Sequence, residues 1–239
     1  MDSLWHNILA WLYSVGIDLG GQVAAGAAPA VAQVAGKMDL PSLLALAAAL
    51  GWASGLRLYL VVLLTGAAGA LGWVPLPAGL QVLQQPLVLG AAGLMALLEF
   101  FADKIPGVDS LWDLLHTLVR IPAGAALAAA VFGGDSAAWA TVAGLAGGTL
   151  AATSHLAKAS TRAAVNTAPE PFSNIALSLA GDAAVPSMLW LAWAHPAIFA
   201  GVLALVMTAM LALIWWLMKF LKSAVRKLRG RFGGPRALA

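Results

Sequence analysis

The fold class predicted by this sequence is all-α: a polytopic transmembrane helical bundle of about six spans. Three observations predict it. Of 239 residues, 62% are hydrophobic and only 10% are charged, against about 25% charged in a soluble domain. Mean hydropathy is +0.89, more apolar surface than a chain of this size can bury in water. Third, six apolar runs follow one another, roughly at 42–71, 86–103, 112–132, 137–158, 172–193 and 196–219, each near the ~20 residues a spanning helix needs. Abundant Ala, Leu and Gly, with few strictly alternating segments, favour helices over a membrane barrel.

Residues 1–39 come first. Trp5, Ile8, Leu9, Leu12 and Tyr13 can share one helical face, which predicts an interfacial leader helix followed by a small-residue connector. No basic region precedes its apolar stretch, so it does not read as an ordinary signal peptide. A transmembrane domain is expected over 40–219, in halves of about 40–133 and 137–219, and a basic tail over 220–239. The connections "GWVPLPAGLQVLQQP", "KIPGVD", "FGGDS", "NTAPEPFSN" and "AHP" hold the turn-forming residues. The runs "AGLAGGTLAATS" and "PAGAALAAA" let helices approach closely, and small-residue faces make a homo-oligomer plausible.

Charge sets an orientation. Seven of the 13 Lys and Arg lie after residue 218. With that tail inside, Lys37, Lys104, Lys158 and Arg162 fall at inside ends, and the outer loops near 72–85, 133–136 and 194–196 contain neither Lys nor Arg. This obeys the positive-inside rule. Trp73, Trp139 and Trp193 then mark the outer interface, and Trp215 and Trp216 the inner one. The absence of cysteine excludes disulfides and thiolate metal sites. A net charge of +3, with its basic residues gathered in a lipid-facing tail, does not suggest nucleic acid as a partner; the bilayer is the expected one.

An internal repeat is expected. "ADKIPGVDSLW" and "GDAAVPSMLW" pair Asp103 with Asp182, Pro106 with Pro186 and Trp112 with Trp190; "ASGLRL" and "ATSHLAK" pair Ser54 with Ser154 and Leu56 with Leu156. Three segments followed by three of opposite sense is the inverted-repeat plan of many transporters, with interrupted or re-entrant helices at the site.

Polar residues fall in stripes on otherwise apolar helices. Asp109, Asp113, His116 and Arg120 share a face, as do Glu99 and Asp103, and as do His155, Lys158, Arg162 and Asn166. Ionisable groups at membrane depth cost roughly 2.5–3.5 kcal/mol each on insertion scales, and persist when paired or when they line a cavity. One reading pairs Asp113 with Arg120, Glu99 with Lys104 and Glu170 with Arg162 as structural ion pairs. The other brings the stripes together around a polar cavity, with a helix broken at "KIPG" after Asp103. Helix starts near Asp109 and in "PEPFSN", where Ser173 or Asn174 can cap, suit an anion. Arg57 must find an acid across the bundle, Asp103 or Asp182. Asp109, Asp113 and His116 are candidate ligands for a divalent metal, although a metal-free ion-pair network fits the same residues and no cofactor is expected. Lys158, Arg162 and Asn166 can hold a phosphate or carboxylate, or serve as inside anchors. His6 and His195 read as interfacial. No nucleophile elbow, P-loop or zincin motif is present.

Two blocks, "EFFADKIPGVDSLWDLLHTLVRIPAGA" and "HLAKASTRAAVNTAPEPFSNIALSLAGD", resemble the signature blocks of a bacterial membrane-protein family filed as domain of unknown function 4126. The resemblance covers roughly residues 42 to 218. It implies a small integral membrane protein with these polar blocks and no established activity. It also implies an acid ahead of the second aspartate, where this chain has Gly181, so one carboxylate of the site is missing here.

The leading expectation is a transporter or channel for a small ion or anionic solute, in a bacterial inner membrane with the C-terminus cytoplasmic. Asp103, Asp182, Glu99 and His116 would carry protons or a cation; Arg57, Arg120, Lys158 and Arg162 would balance charge or bind the anion. The alternatives are a metal-dependent membrane enzyme acting on a lipid or lipid phosphate, and an accessory or assembly subunit whose stripes are structural.

Overall fold

The computed structural model of the chain describes residues 38–105, 107–133, 137–166 and 171–232. The expected leader, up to residue 37, lies outside the described residues, as do Pro106 and Glu170. The described residues form α1 (Leu40–Ala70), a 3-10 helix (Ala78–Gln84), α2 (Pro86–Ala102), α3 (Val108–Ala130), α4 (Ala137–Val165), α5 (Pro171–Ala194) and α6 (Pro196–Phe232), with no strand among them.

Local chemistry sets the ends. Asp39 caps α1 by accepting the Ser42 N–H at 3.2 Å, and Pro41 in the first turn lacks only a donor that the helix does not use. α1 stops at Gly72, whose φ of 70° closes a Schellman motif in which Trp73 N–H reaches the Ala68 carbonyl at 2.9 Å. The stretch 72–85, expected as a connection, contains the 3-10 helix. Leu80 and Leu83, three apart and therefore on one side of such a helix, are both buried. Gly107, with φ 88°, turns the chain into α3. α6 continues without interruption through Phe232, so the first part of the basic tail is helical.

α1 lies at the centre and touches every other helix. It is also broken: Arg57 has φ −146° and ψ 73° inside an otherwise helical run. The interruption expected after Asp103 is present as the turn between α2 and α3, whereas Pro186, its counterpart in the sequence repeat, lies within continuous α5. Small residues set the spacing of α1, α3 and α4. A Cβ on Gly51 would lie 2.5 Å from Gly147 Cα, and one on Gly124 2.6 Å from Ala151 Cβ, so backbones are in contact there.

The exposure pattern of α3 is inside out. Asp109, Asp113 and Arg120 are buried while Leu111, Leu114, Leu115 and Leu118 are exposed. Water would reverse that arrangement; hydrocarbon accounts for it. Among the described residues, three helices are long and apolar enough to cross a membrane, Leu40–Ala70, Phe172–Ala194 and Pro196–Phe220. A fourth candidate arises if the 3-10 helix and α2, bent by 71°, form one span. α3 and α4 fall outside that set, and they are the helices with the longest polar stripes.

Candidate functional site

The polar stripes of α2, α3 and α4 meet one another, and α1 and α5 add to them. Five acids (Glu99, Asp103, Asp109, Asp113, Asp182) and five bases (Arg57, Lys104, Arg120, Lys158, Arg162) form one connected network. Asp103, fully buried, is its hub. It is paired with Arg57, with Lys158 at 3.0 Å and with Arg162 at 2.8 Å. Arg57 turns its second nitrogen to Asp182 at 2.9 Å and to Ser178 Oγ at 2.8 Å. Asp182 also meets Lys104 at 3.4 Å. On the other side Lys158 reaches Asp113 at 3.0 Å. Arg120 joins Asp113 at 2.6 Å to Glu99 at 2.5 Å.

The break in α1 is built into this network. Lys158 Nζ donates to the Leu56 carbonyl at 3.1 Å, and Ser154 Oγ, one turn earlier on α4, donates to the Trp52 carbonyl at 2.7 Å. A carbonyl left without its helical partner in a membrane costs several kcal/mol unless another donor reaches it. The polar stripe of α4 supplies such donors.

Of the expected pairings, Arg57 meets both candidate acids, and Asp113 meets Arg120. Glu99 pairs with Arg120 instead of Lys104, because Lys104 turns to Asp182 and packs over the Phe100 ring. Arg162 binds Asp103; Glu170 lies outside the described residues. The helix start expected to attract an anion is occupied by the chain itself: Asp109 Oδ1 accepts the Gly107 and Ser110 N–H groups at 2.9 and 2.6 Å. Asn166 holds the same carboxylate at 3.2 Å and accepts from Asn174 at 2.7 Å. Asn174 is therefore a buried bridge rather than a cap, since α5 starts earlier, at Pro171. Ser173 sits half-buried in that first turn and joins none of these bonds.

His116 does not join Asp109 and Asp113. Its Nδ1 is 2.8 Å from the Trp112 carbonyl, and its ring stacks on Trp112 at 4.2 Å and meets Tyr59 edge-on. Among the described residues no group of three metal-ligating side chains converges. His155 is in the network, with Nε2 2.7 Å from Thr117 Oγ1 and Nδ1 3.4 Å from Arg120. The sequence does not single out Ser178, and Ser154 and Lys104 read there as a repeat partner and as an inside-end or ion-pairing charge, not as site residues. Their signals were present: Ser154 and Ser178 lie four residues before Lys158 and Asp182, on the same faces.

A cavity of about 490 Å³ opens beside the network, between α1, α4, α5 and α6. Arg57, Lys158 and Arg162 form its basic wall. Leu177, Met188, Val206, Met210 and Leu213 form much of the remainder, and among the described residues no acid lines it.

These features define a class: a helical membrane protein with an ion-pair network buried beside a cavity. The chain belongs to the family described as "Domain of unknown function (DUF4126)", which matches residues 44–219. No curated protein matches the chain, and no solved structure does.

Proposed function

We propose that this protein is a membrane carrier for a small anionic solute, with Arg57, Lys158 and Arg162 as the binding groups. One observation carries the reading. Three bases converge on a single buried carboxylate, Asp103, and the same three line the adjoining cavity. A carboxylate of the solute can take over the guanidinium and ammonium groups that hold Asp103, and the fully buried Asp103 must then take up a proton, since its charge would otherwise be left unpaired. Supporting it, Arg57 stands at a helix break midway along α1, the kind of discontinuity at which transporters bind solutes. Asp182, more exposed than the other acids of the network, is the group suited to exchange a proton or cation. In this reading the chain forms about six spans in inverted halves in a bacterial inner membrane, with the basic tail cytoplasmic.

The test is anion efflux from liposomes reconstituted with the full chain, wild type beside Asp103→Asn and Arg162→Lys. Protein-dependent flux altered by both variants supports the carrier. Flux no faster than in empty liposomes, across a panel of carboxylates and phosphates, removes it.

A second reading, an accessory or assembly subunit, has its own observation: among the described residues, five acids of the network match five bases. It expects the same variants to lower folded yield while leaving flux at background.

A further inference from the structure

We infer that the cavity between α1, α4, α5 and α6 takes an amphiphilic anion: a carboxylate or phosphate headgroup on an alkyl chain. The inference rests on the carrier reading and names its solute class. The volume of about 490 Å³ falls within the roughly 300–1,000 Å³ of small-molecule sites.

Its wall has two chemistries. Arg57, Lys158 and Arg162 face it from α1 and α4, with no acid among the described lining residues. The opposite side, from α5 and α6, is hydrocarbon. A compact hydrophilic anion would leave that side without a partner; an alkyl chain covers it.

Donors remain for a headgroup. Every described ion pair and hydrogen bond of the Arg162 side chain runs through Nη1, so Nη2 and Nε are uncommitted among the described residues. Trp52 also lines the cavity, and its buried indole N–H has no hydrogen-bond partner among them. Buried donors are normally satisfied, and the exceptions call for a partner.

Access fits as well. The cavity lies near the midpoint of each candidate span that borders it, at Leu56 and Arg57, Gly181 and Ala184, and Val206 and Met210. The spans in α5 and α6 are only 28% and 6% buried. An amphiphile can enter between such lipid-facing helices from the hydrocarbon, whereas a bare anion would have to leave water first.

Gly181 gives the discriminating variant. A Cβ there would sit 3.9 Å from Arg57 Nε, an ordinary contact. Gly181→Asp therefore places a carboxylate where the headgroup is expected. The experiment is equilibrium binding to the full chain in phosphatidylcholine nanodiscs, with dodecanoate, dodecyl phosphate, dodecanol and inorganic phosphate as probes.

Dodecanoate or dodecyl phosphate should bind, and their ratio separates a fatty-acid from a lipid-phosphate source. Dodecanol and inorganic phosphate should each bind about tenfold or more weakly, as should both amphiphiles to Gly181→Asp. Equal binding of dodecanol would show a merely apolar groove; equal binding of phosphate, a headgroup site alone; unchanged binding to Gly181→Asp, a different location. Each of these outcomes overturns the inference. Should Gly181→Asp not fold, Arg162→Gln makes the same comparison. Amphiphile binding without flux would remove the carrier but keep the site. Flux of hydrophilic anions without amphiphile binding would do the reverse.

Discussion

Lys158 Nζ lies 3.1 Å from the carbonyl oxygen of Leu56, the residue before the break in α1. The same ammonium is 3.0 Å from Asp103 and from Asp113. One side chain thus completes the broken backbone of the central helix and joins the two halves of the network. Its three N–H donors match these three acceptors.

Lys158→Met should therefore be among the most destabilising changes in the chain. It strips one positive charge from two buried carboxylates and a donor from the Leu56 carbonyl beside the break, for a loss of about 3–5 kcal/mol. Reversible unfolding in mixed detergent micelles measures it. Lys219→Met, at an exposed position on α6, is the comparison and should change stability by less than about 1 kcal/mol.

Glu99 and Arg120 are both buried and lie 2.5 Å apart. Arg120→Gln should destabilise strongly, because it leaves Glu99 unpaired; Glu99→Gln should cost less, because Arg120 keeps Asp113. The double variant should cost less than the sum, with a coupling of about 0.5–3 kcal/mol. Additive costs in a double-mutant cycle would contradict the pairing.

Two glycines in helices should respond with opposite sign. A Cβ on Gly51 would press on the Gly147 backbone at 2.5 Å, so Gly51→Ala should cost about 1–3 kcal/mol. Nothing lies within 4 Å of a Cβ on Gly90 in α2, so Gly90→Ala should stabilise by about 0.5–1 kcal/mol. Thermal midpoints measured in one detergent decide both.

Acid should loosen the start of α1. Hydrogen bonds from Ser42 hold the Asp39 carboxyl below its usual value of 3.8. A carboxyl with a depressed folded-state value stabilises fully above the unfolded-state one, and that contribution fades as pH falls below about 3.8. Amide exchange at Ser42, extrapolated for intrinsic rate, should therefore quicken in that window in wild type. In Asp39→Asn, whose side chain does not titrate, the acid-dependent step should vanish.

Much of the site could be read from spacing alone. Asp109, Asp113 and Arg120 repeat at helical intervals, and all three are buried on one face. Lys158, Arg162 and Asn166 repeat at the same intervals on α4 and its end, Arg162 buried and the other two half-buried, and their partners are acids of the other stripes. His116 met the same spacing criterion yet turned to Trp112 and Tyr59. Periodicity gives the face of a residue, whereas the rotamer follows from what packs beside it. The break at Arg57 had no local signal. "ASGLRLYL" contains no proline, and its irregular backbone is held by Ser154 and Lys158 from about a hundred residues away in sequence.

By itself the sequence determined the solvent, the helical class and which polar residues share a face. Composition sets the first, and the 3.6-residue period sets the others. The tertiary structure alone decided which charges meet, where the central helix breaks and where a cavity opens. Arg57 and Ser178 are bonded across 121 residues of chain. No local pattern encodes such a contact: in hydrocarbon each buried charge must find a partner, and the packing of small-residue faces determines which one is within reach.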